Sequence, residues 1–232
     1  MKRILLTYGG CDVPIDDVRS ITNFSSGTFG LEILKELINK TEYHTTVLRH
    51  ERSDSIYEFR ANARNLNEIF NWHGSLYANL GRVYEDTYTT YDEYHKKCVM
   101  YAEGIDLVVL ASAISDYGVD KQNGKISGDS VNLSLNRLPK VINVLSKKYP
   151  ETKIVGFKLL PRSAGVEQLE NACLKSIEEN GCSLVLGNFL EDVKERTGNV
   201  LLVSSAKVSV VPFELRTHRL VQHIKGIMAG TL

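Results

Sequence analysis

The chain has 232 residues, of which 43% are hydrophobic and 24% are charged, and its 28 basic residues balance its 28 acidic ones. This length is enough to bury a core without a disulfide or a structural metal, and a net charge of zero gives no overall attraction to nucleic acid or to a membrane surface. No apolar run approaches the ~20 residues that a membrane-spanning helix needs, so neither a nucleic-acid nor a membrane partner is predicted.

Four cysteines, Cys11, Cys98, Cys173 and Cys182, are too scattered to form a C-x-x-C pair or a zinc motif. They are expected to be reduced thiols, which is typical of a cytoplasmic protein.

Apolar periodicity predicts strands that alternate with helices. In chain order these are a strand at 4–7, a helix at 28–40, a strand at 45–48, a helix at 92–103, strands at 106–110 and 131–135, a helix at 139–148, a strand at 153–157, a helix at 164–180, strands at 183–186, 199–203 and 208–211, and a helix at 214–228. This order predicts an α/β fold: a three-layer, mostly parallel, Rossmann-like sheet with a small antiparallel or dimerisation extension. Residues 1–232 are interpreted as one domain, in which the weakly periodic segment 50–90 is a cap or a dimerisation segment.

The first predicted strand ends in Thr7-Tyr8-Gly9-Gly10. Ligands of open α/β sheets bind beyond the carboxyl ends of the strands, and paired glycines there let the backbone approach a phosphate. An ordinary tight turn is the alternative. The chain contains neither G-x-G-x-x-G nor a Walker A motif.

A second motif, Asn23-Phe24-Ser25-Ser26-Gly27, comes directly before the first helix. Serine hydroxyls and free backbone N–H groups at a helix start are suited to binding an anion. A simple serine N-cap explains the same pattern.

Together these motifs make residues 7–30 resemble the signature of the phosphopantothenoylcysteine synthetase family, with Tyr8 and Cys11 in place of the usual serine and threonine. Four later segments are similar to family motifs in the same order: 110–117, 125–126, 139–158 and 184–188.

The resemblance implies an enzyme of coenzyme A biosynthesis. Such an enzyme joins 4'-phosphopantothenate to L-cysteine through an acyl-nucleotidylate, using CTP or ATP with Mg²⁺, and is a homodimer. The chain starts at the synthetase motif, so a fused flavin-dependent decarboxylase is expected to be absent and no FMN is expected. Whether a separate decarboxylase associates with it is left open.

The resemblance also implies roles for individual residues. Gly9, Ser25, Gly27 and Gly30 match positions that cradle the triphosphate. Asn23 matches the asparagine that contacts the acyl intermediate. Arg19 matches an arginine that could clamp a phosphate, although an ion pair with Asp16 or Asp17 is an equal alternative.

Ser112, Ala113 and Asp116 match the segment that lines the nucleotide pocket, and Asp116 is suited to a ribose hydroxyl or a base edge. Lys125 matches a lysine whose charge offsets the approaching carboxylate and triphosphate. Phe157 and Asn188 match residues that stack on and hydrogen-bond to the nucleotide. No metal ligand is identified. Gly9, Asn23, Ala113 and Asn188 are expected to converge on one cleft.

Departures from the family pattern leave two questions open. Ser127 and Gly128 replace further lysines, and Ser176 and Asn180 stand where bacterial members carry lysines associated with the cytidine nucleotide, so CTP and ATP both remain possible. The thinned lysine motif and Ser112 also fit a non-catalytic nucleotide-binding paralogue. A less favoured alternative, a nicotinamide-dependent reductase, rests on the pair Tyr117 and Lys121.

Overall fold

The computed structural model describes residues 1–57 and 80–231. Eight strands form the main sheet: β1 (Arg3–Gly9), β4 (His44–His50), β5 (Val83–Tyr88), β6 (Leu107–Ser112), β9 (Lys153–Leu160), β10 (Leu184–Phe189), β11 (Asn199–Val203) and β12 (Val208–Pro212). Two small antiparallel sheets pair β2 (Asp12–Pro14) with β3 (Ser20–Thr22) and β7 (Tyr117–Gly118) with β8 (Asn136–Arg137). The helices are α1 (Thr28–Lys40), α2 (Tyr91–Tyr101), α3 (Val141–Lys148), α4 (Gly165–Asn180), α5 (Leu190–Glu195) and α6 (Arg216–Ala229).

The main sheet has the order β12-β11-β10-β9-β6-β1-β4-β5. The six strands from β10 to β5 are parallel, and β11 and β12 extend the sheet as antiparallel strands. This arrangement confirms the mostly parallel sheet with a small antiparallel extension.

Successive residues of β1 enter two separate cores. Leu6 packs on one face of the sheet with α1 and α6, through residues such as Leu34 and Leu220. Leu5 packs on the other face with α2, α3 and α4. Burial of β1 on both faces explains its continuously apolar sequence, and the three predicted layers are confirmed.

A topological switch point lies between the neighbouring strands β1 and β6. After β1 the chain continues to β4, toward one edge of the sheet, and after β6 it continues to β9, toward the other edge. Gly9 is in register with Ser112, and the Ala113 N–H donates to the Gly9 carbonyl at 2.8 Å. Ligands of open α/β sheets bind in the crevice that such a reversal creates. The fold therefore brings the first motif and the segment after β6 together.

The predicted strand at 131–135 is wrong. These residues are exposed and irregular, and the short pairing that follows them joins Asn136 and Arg137 to β7. Val131, Leu133 and Leu135 alternate with polar residues, as in a half-buried strand. This alternation does not show whether a neighbouring strand is present to pair with them. Strand β5 and helix α5 were not predicted, and residues 58–79 of the cap or dimerisation segment lie outside the described residues. No helix within the described ranges is long and apolar enough to cross a membrane.

Candidate active site

Two clefts flank the carboxyl end of β6, one on each face of the sheet. The α3–α4 cleft, of about 230 Å³, is lined by residues that include Ser112, Asp116, Lys140, Phe157 and Lys158. The α1 cleft, of about 380 Å³, is lined by residues that include Ser25, Gly27, Gly30, Ala111 and Asn188. Because neighbouring residues of a strand point to opposite faces, Ala111 faces one cleft and Ser112 the other.

Helix α1 begins at the α1 cleft with a conformation that depends on glycine. Gly27, the N-cap residue, has a φ of 81°, in the left-handed region that favours glycine. A Cβ on Gly30 would lie 2.1 Å from the Tyr8 Cβ, so a glycine there lets α1 approach β1 closely. The free N–H groups of this first turn and the Ser25 hydroxyl can meet an anion.

Asn188 brings a polar side chain to the same cleft from the end of β10. The residue is 8% exposed, and its Oδ1 has no hydrogen-bond partner among the described residues. A buried amide oxygen without a partner is costly. An N–H or O–H group of a ligand would satisfy it.

Lysine and arginine side chains surround the α3–α4 cleft. Lys140 and Lys158 line both this cleft and an adjoining groove of about 640 Å³, and Arg137 and Lys175 line the groove. Among these residues, Lys175 forms an ion pair with Glu179 at 3.5 Å. The arrangement favours a polyanion. Arg137, Lys140 and Lys158 are ligand-binding candidates that the sequence motifs did not indicate.

Ser176 and Asn180 are also part of this cleft, where they hydrogen-bond to each other at 3.1 Å. By the family resemblance, they stand at two of the positions where bacterial members carry lysines. In this chain the positive charge comes instead from the neighbouring elements β8, α3 and β9.

Phe157 connects the two clefts. The residue borders the α3–α4 cleft, and its ring packs on the α1 face of the sheet, where it meets Phe29 edge to face with a centroid distance of 5.9 Å. Phe29 lines the α1 cleft. Phe157 therefore forms part of the wall between the two clefts.

Arg19 ties the β2–β3 hairpin to the loop that carries Lys125. Its guanidinium binds the Asp16 carboxylate and donates to the Ile126 carbonyl at 2.8 Å, while Asp16 accepts the Ile126 N–H at 3.0 Å. The Arg19 hydrogen bond holds the pKa of Asp16 well below its usual value. The ion pair with Asp16 is thus present, the phosphate clamp stays a prediction, and Lys125 is exposed beside this junction.

The expectation that four residues converge on one cleft is met only in part, because Gly9 and Ala113 line neither cleft. Gly9 and Ala113 are joined by a hydrogen bond at the switch point, and Asn188 lies in the α1 cleft. Asn23 directly precedes the lining residues Phe24 and Ser25, and its carbonyl lies 3.2 Å from where a Cβ of Gly10 would be. The site is better described as two clefts that meet at the end of β6.

The pair Tyr117 and Lys121 lacks the rigid alignment that a reductase requires. Tyr117 belongs to the short strand β7, and Lys121 forms an ion pair with Asp17 at 2.7 Å.

Comparison with known proteins identifies the family. Residues 1–48 and 82–231 match the model of the DNA/pantothenate metabolism flavoprotein C-terminal domain. The chain belongs to this family. The family resemblance predicted from the sequence motifs is therefore confirmed over most of the chain.

One relative is the coenzyme A biosynthesis bifunctional protein CoaBC of Thermococcus kodakarensis, which is 30% identical over 205 residues. The match covers 87% of this chain and 45% of that protein, so the chain spans less than half the length of the relative.

Two solved structures share the fold of this DNA/pantothenate metabolism flavoprotein C-terminal domain. The DNA/pantothenate metabolism flavoprotein from Streptococcus pneumoniae has a TM-score of 0.77 and 21% identity, and the match covers 98% of this chain and 99% of that one. A Cab2 mutant in complex with phosphopantothenate-cysteine has a TM-score of 0.73 and 22% identity, covering 97% and 89%.

Proposed function

We propose that the chain catalyses the nucleotide-dependent ligation of 4'-phosphopantothenate to L-cysteine through an acyl-nucleotidylate. The observation that carries this proposal is the pair of clefts at the switch point. Seven residues that match synthetase motifs line them: Ser25, Gly27, Gly30, Ser112, Asp116, Phe157 and Asn188. A ligase of this type must place a nucleotide and an acid side by side, and two clefts with a common wall suit that task. The names of the CoaBC relative and of the Cab2 complex support the same reaction.

The nucleotide is proposed to span the end of β6. Its nucleoside would occupy the α3–α4 cleft, which Phe157 borders and where Asp116 offers a carboxylate for a hydroxyl or a base edge. Its phosphates would reach the free N–H groups at the start of α1, near Ser25 and Gly27. Lys140 and Lys158 would attract the negative charge of the whole molecule.

The reaction has two steps. A carboxylate oxygen of phosphopantothenate attacks the α-phosphorus, an O–P bond forms, and pyrophosphate leaves. The cysteine amine then attacks the acyl carbon, the amide C–N bond forms, and the nucleoside monophosphate leaves as the amine loses a proton. Asn23 would donate to the oxygen that gains charge, and Lys125 would offset the repulsion between the carboxylate and the polyphosphate.

The identity of the nucleotide rests on the charges around the cleft. Ser176 and Asn180 replace the lysines that bacterial members associate with the cytidine nucleotide, so ATP and CTP are both proposed as co-substrates, each as its Mg²⁺ complex. Proteins usually hold Mg²⁺ through one or two carboxylates together with the phosphates. No group of three or more metal-binding side chains occurs in the described part of the chain.

Release of pyrophosphate tests the proposal. The purified chain is incubated with phosphopantothenate, cysteine and either CTP or ATP with Mg²⁺, and each component is omitted in turn. Pyrophosphate and phosphopantothenoylcysteine formed in equal amounts, and only in the complete mixture, support the ligase. Tight nucleotide binding without turnover would support the non-catalytic paralogue instead. A location in the cytoplasm is proposed from the four buried free thiols.

A further inference from the structure

Tyr88 is a buried tyrosine whose hydroxyl lies between the two strands of the switch point. It is the last residue of the outer strand β5 and is 1% exposed. The hydroxyl donates to the Gly10 carbonyl at 2.7 Å and is 2.9 Å from the Ser112 hydroxyl. Gly10 follows β1 and Ser112 ends β6, so one phenol oxygen reaches both strand ends.

The Tyr88 hydroxyl has more than one acceptor within reach. A phenol has one proton, and the shorter bond to the Gly10 carbonyl uses it. The Ser112 Oγ, at 2.9 Å, is the second acceptor. The Tyr8 carbonyl lies farther away, at 3.3 Å.

Two aromatic neighbours fix the ring that carries this hydroxyl. His50 meets it edge on at 5.6 Å, and Tyr94 does so at 4.9 Å. Burial raises the pKa of the phenol far above its ordinary value, so the hydroxyl keeps its proton at any physiological pH. The ring is thus held by packing, and the hydroxyl is the separate group that contacts Gly10 and Ser112.

We propose that Tyr88 is a positioning residue that holds the ends of β1 and β6 in the geometry that both clefts require. This inference rests on the proposed function as far as turnover is concerned. Ser112 lines the α3–α4 cleft, and the Gly9 carbonyl next to Gly10 receives the Ala113 N–H. Tyr88 therefore acts through residues that border the ligands and does not itself line either cleft among the described residues.

The substitution Tyr88→Phe removes the hydroxyl and keeps the ring. The matched control is Tyr149→Phe, because the Tyr149 hydroxyl also donates to a carbonyl, that of Val99, at 2.9 Å. Tyr149 lies beside the amino end of β9, at the end of the parallel strands opposite to the clefts. Each variant should lose a similar amount of stability in urea, since each loses a neutral hydrogen bond.

The two variants should differ in kinetics. A small misplacement of reacting groups can cost about 100-fold in rate, so Tyr88→Phe is expected to lower kcat by about 10- to 100-fold with little change in KM. Tyr149→Phe is expected to keep the wild-type kcat. Wild-type kcat in Tyr88→Phe would overturn the inference.

Hydrogen exchange separates this inference from the proposed function. In Tyr88→Phe, but not in Tyr149→Phe, amides of 8–12 and 110–114 should exchange faster while α6 is unaffected. If the wild-type chain forms no product, the proposed function fails. The hydrogen-exchange result then tests by itself whether Tyr88 positions the two strand ends. Unchanged exchange in these two segments, or a uniform increase over the whole chain, would overturn the positioning role.

Discussion

At the scale of single residues, the site consists of backbone groups and neutral side chains close to a few cations. Asn23 is the neutral residue for which the family resemblance implies the most direct role. It is partly buried, and its carbonyl accepts the Ser25 N–H at 2.9 Å, which shapes the backbone just before α1. Substitution of its side chain leaves that backbone bond in place.

Asn23→Ala is expected to reduce kcat by about 100- to 1,000-fold, because one donor to the developing charge is lost. Its urea unfolding curve should match that of the wild type, since a loop side chain contributes little to either core. Steady-state kinetics and urea unfolding together check this. Turnover near the wild-type rate would remove Asn23 from the mechanism.

Lys125→Gln is expected to slow mainly the first step, in which a carboxylate approaches a polyanion. Lys125 is exposed, in a loop where Gly124 and Gly128 have positive φ values. Single-turnover formation of the acyl-nucleotidylate should be slower, whereas its capture by cysteine should be unaffected. The exposed Lys207→Gln, on the turn between β11 and β12, is the control. A normal rate of the first step in Lys125→Gln would show that its charge is not needed there.

At the scale of elements, the spacing of apolar residues predicts the helices that pack against the sheet. Helix α1 is found at the predicted 28–40 because its apolar face repeats at Leu31, Leu34 and Leu37 and glycines mark its start. The segment 131–135 shows the limit of the method, since alternation predicts a strand but not the partner that a strand needs. Lys140 and Lys158 were missed for a similar reason: they meet only because α3 packs beside β9.

Gly30→Ala tests how closely α1 must approach β1. The added methyl group would overlap Tyr8, and overpacking typically costs about 1–3 kcal/mol. We expect a loss of stability of at least this size, together with weaker nucleotide binding, because the start of α1 moves. Urea unfolding and equilibrium nucleotide binding are the measurements.

The matched control for Gly30→Ala is Gly81→Ala, since no atom lies within 4 Å of a Cβ added there. It should unfold at about the wild-type urea concentration. Equal stability of the two variants would mean that α1 can move away from β1 without cost.

At the scale of the whole molecule, the family resemblance implies a homodimer. Its interface is predicted to lie in residues 50–90 or on strands at the adjacent edge of the sheet, with a cap over the site as the alternative role of 50–90. Tyr88, Tyr91 and Tyr94 are buried inside the fold, whereas Tyr57 and Tyr84 are exposed. Tyr77, Phe59, Phe70 and Trp72 lie outside the described residues. Tyr84 on β5 therefore offers the best described position at which to test an interface on this edge of the sheet.

Light scattering at micromolar concentration should give twice the mass of the chain, since a stable interface buries at least about 1,000 Å². Tyr84→Glu should shift the molecule toward the monomer. Val210→Glu, at an exposed apolar position on the opposite edge strand β12, should not. A wild-type monomer would refute the dimer, and dissociation by Val210→Glu alone would place the interface at the other edge.

The position of β1 in the sheet has a consequence for how the chain folds. Ile4 pairs with Thr45 on one side and with Leu107 on the other, so the two neighbours of this strand lie about 40 and 100 residues away in the sequence. Contacts between such distant segments slow folding, because a long loop must close before they form. During synthesis, the edge of β1 that pairs with β6 stays unpaired until β6 has been made. The clefts on either side of β6 can form only after the chain has been extended well past its midpoint.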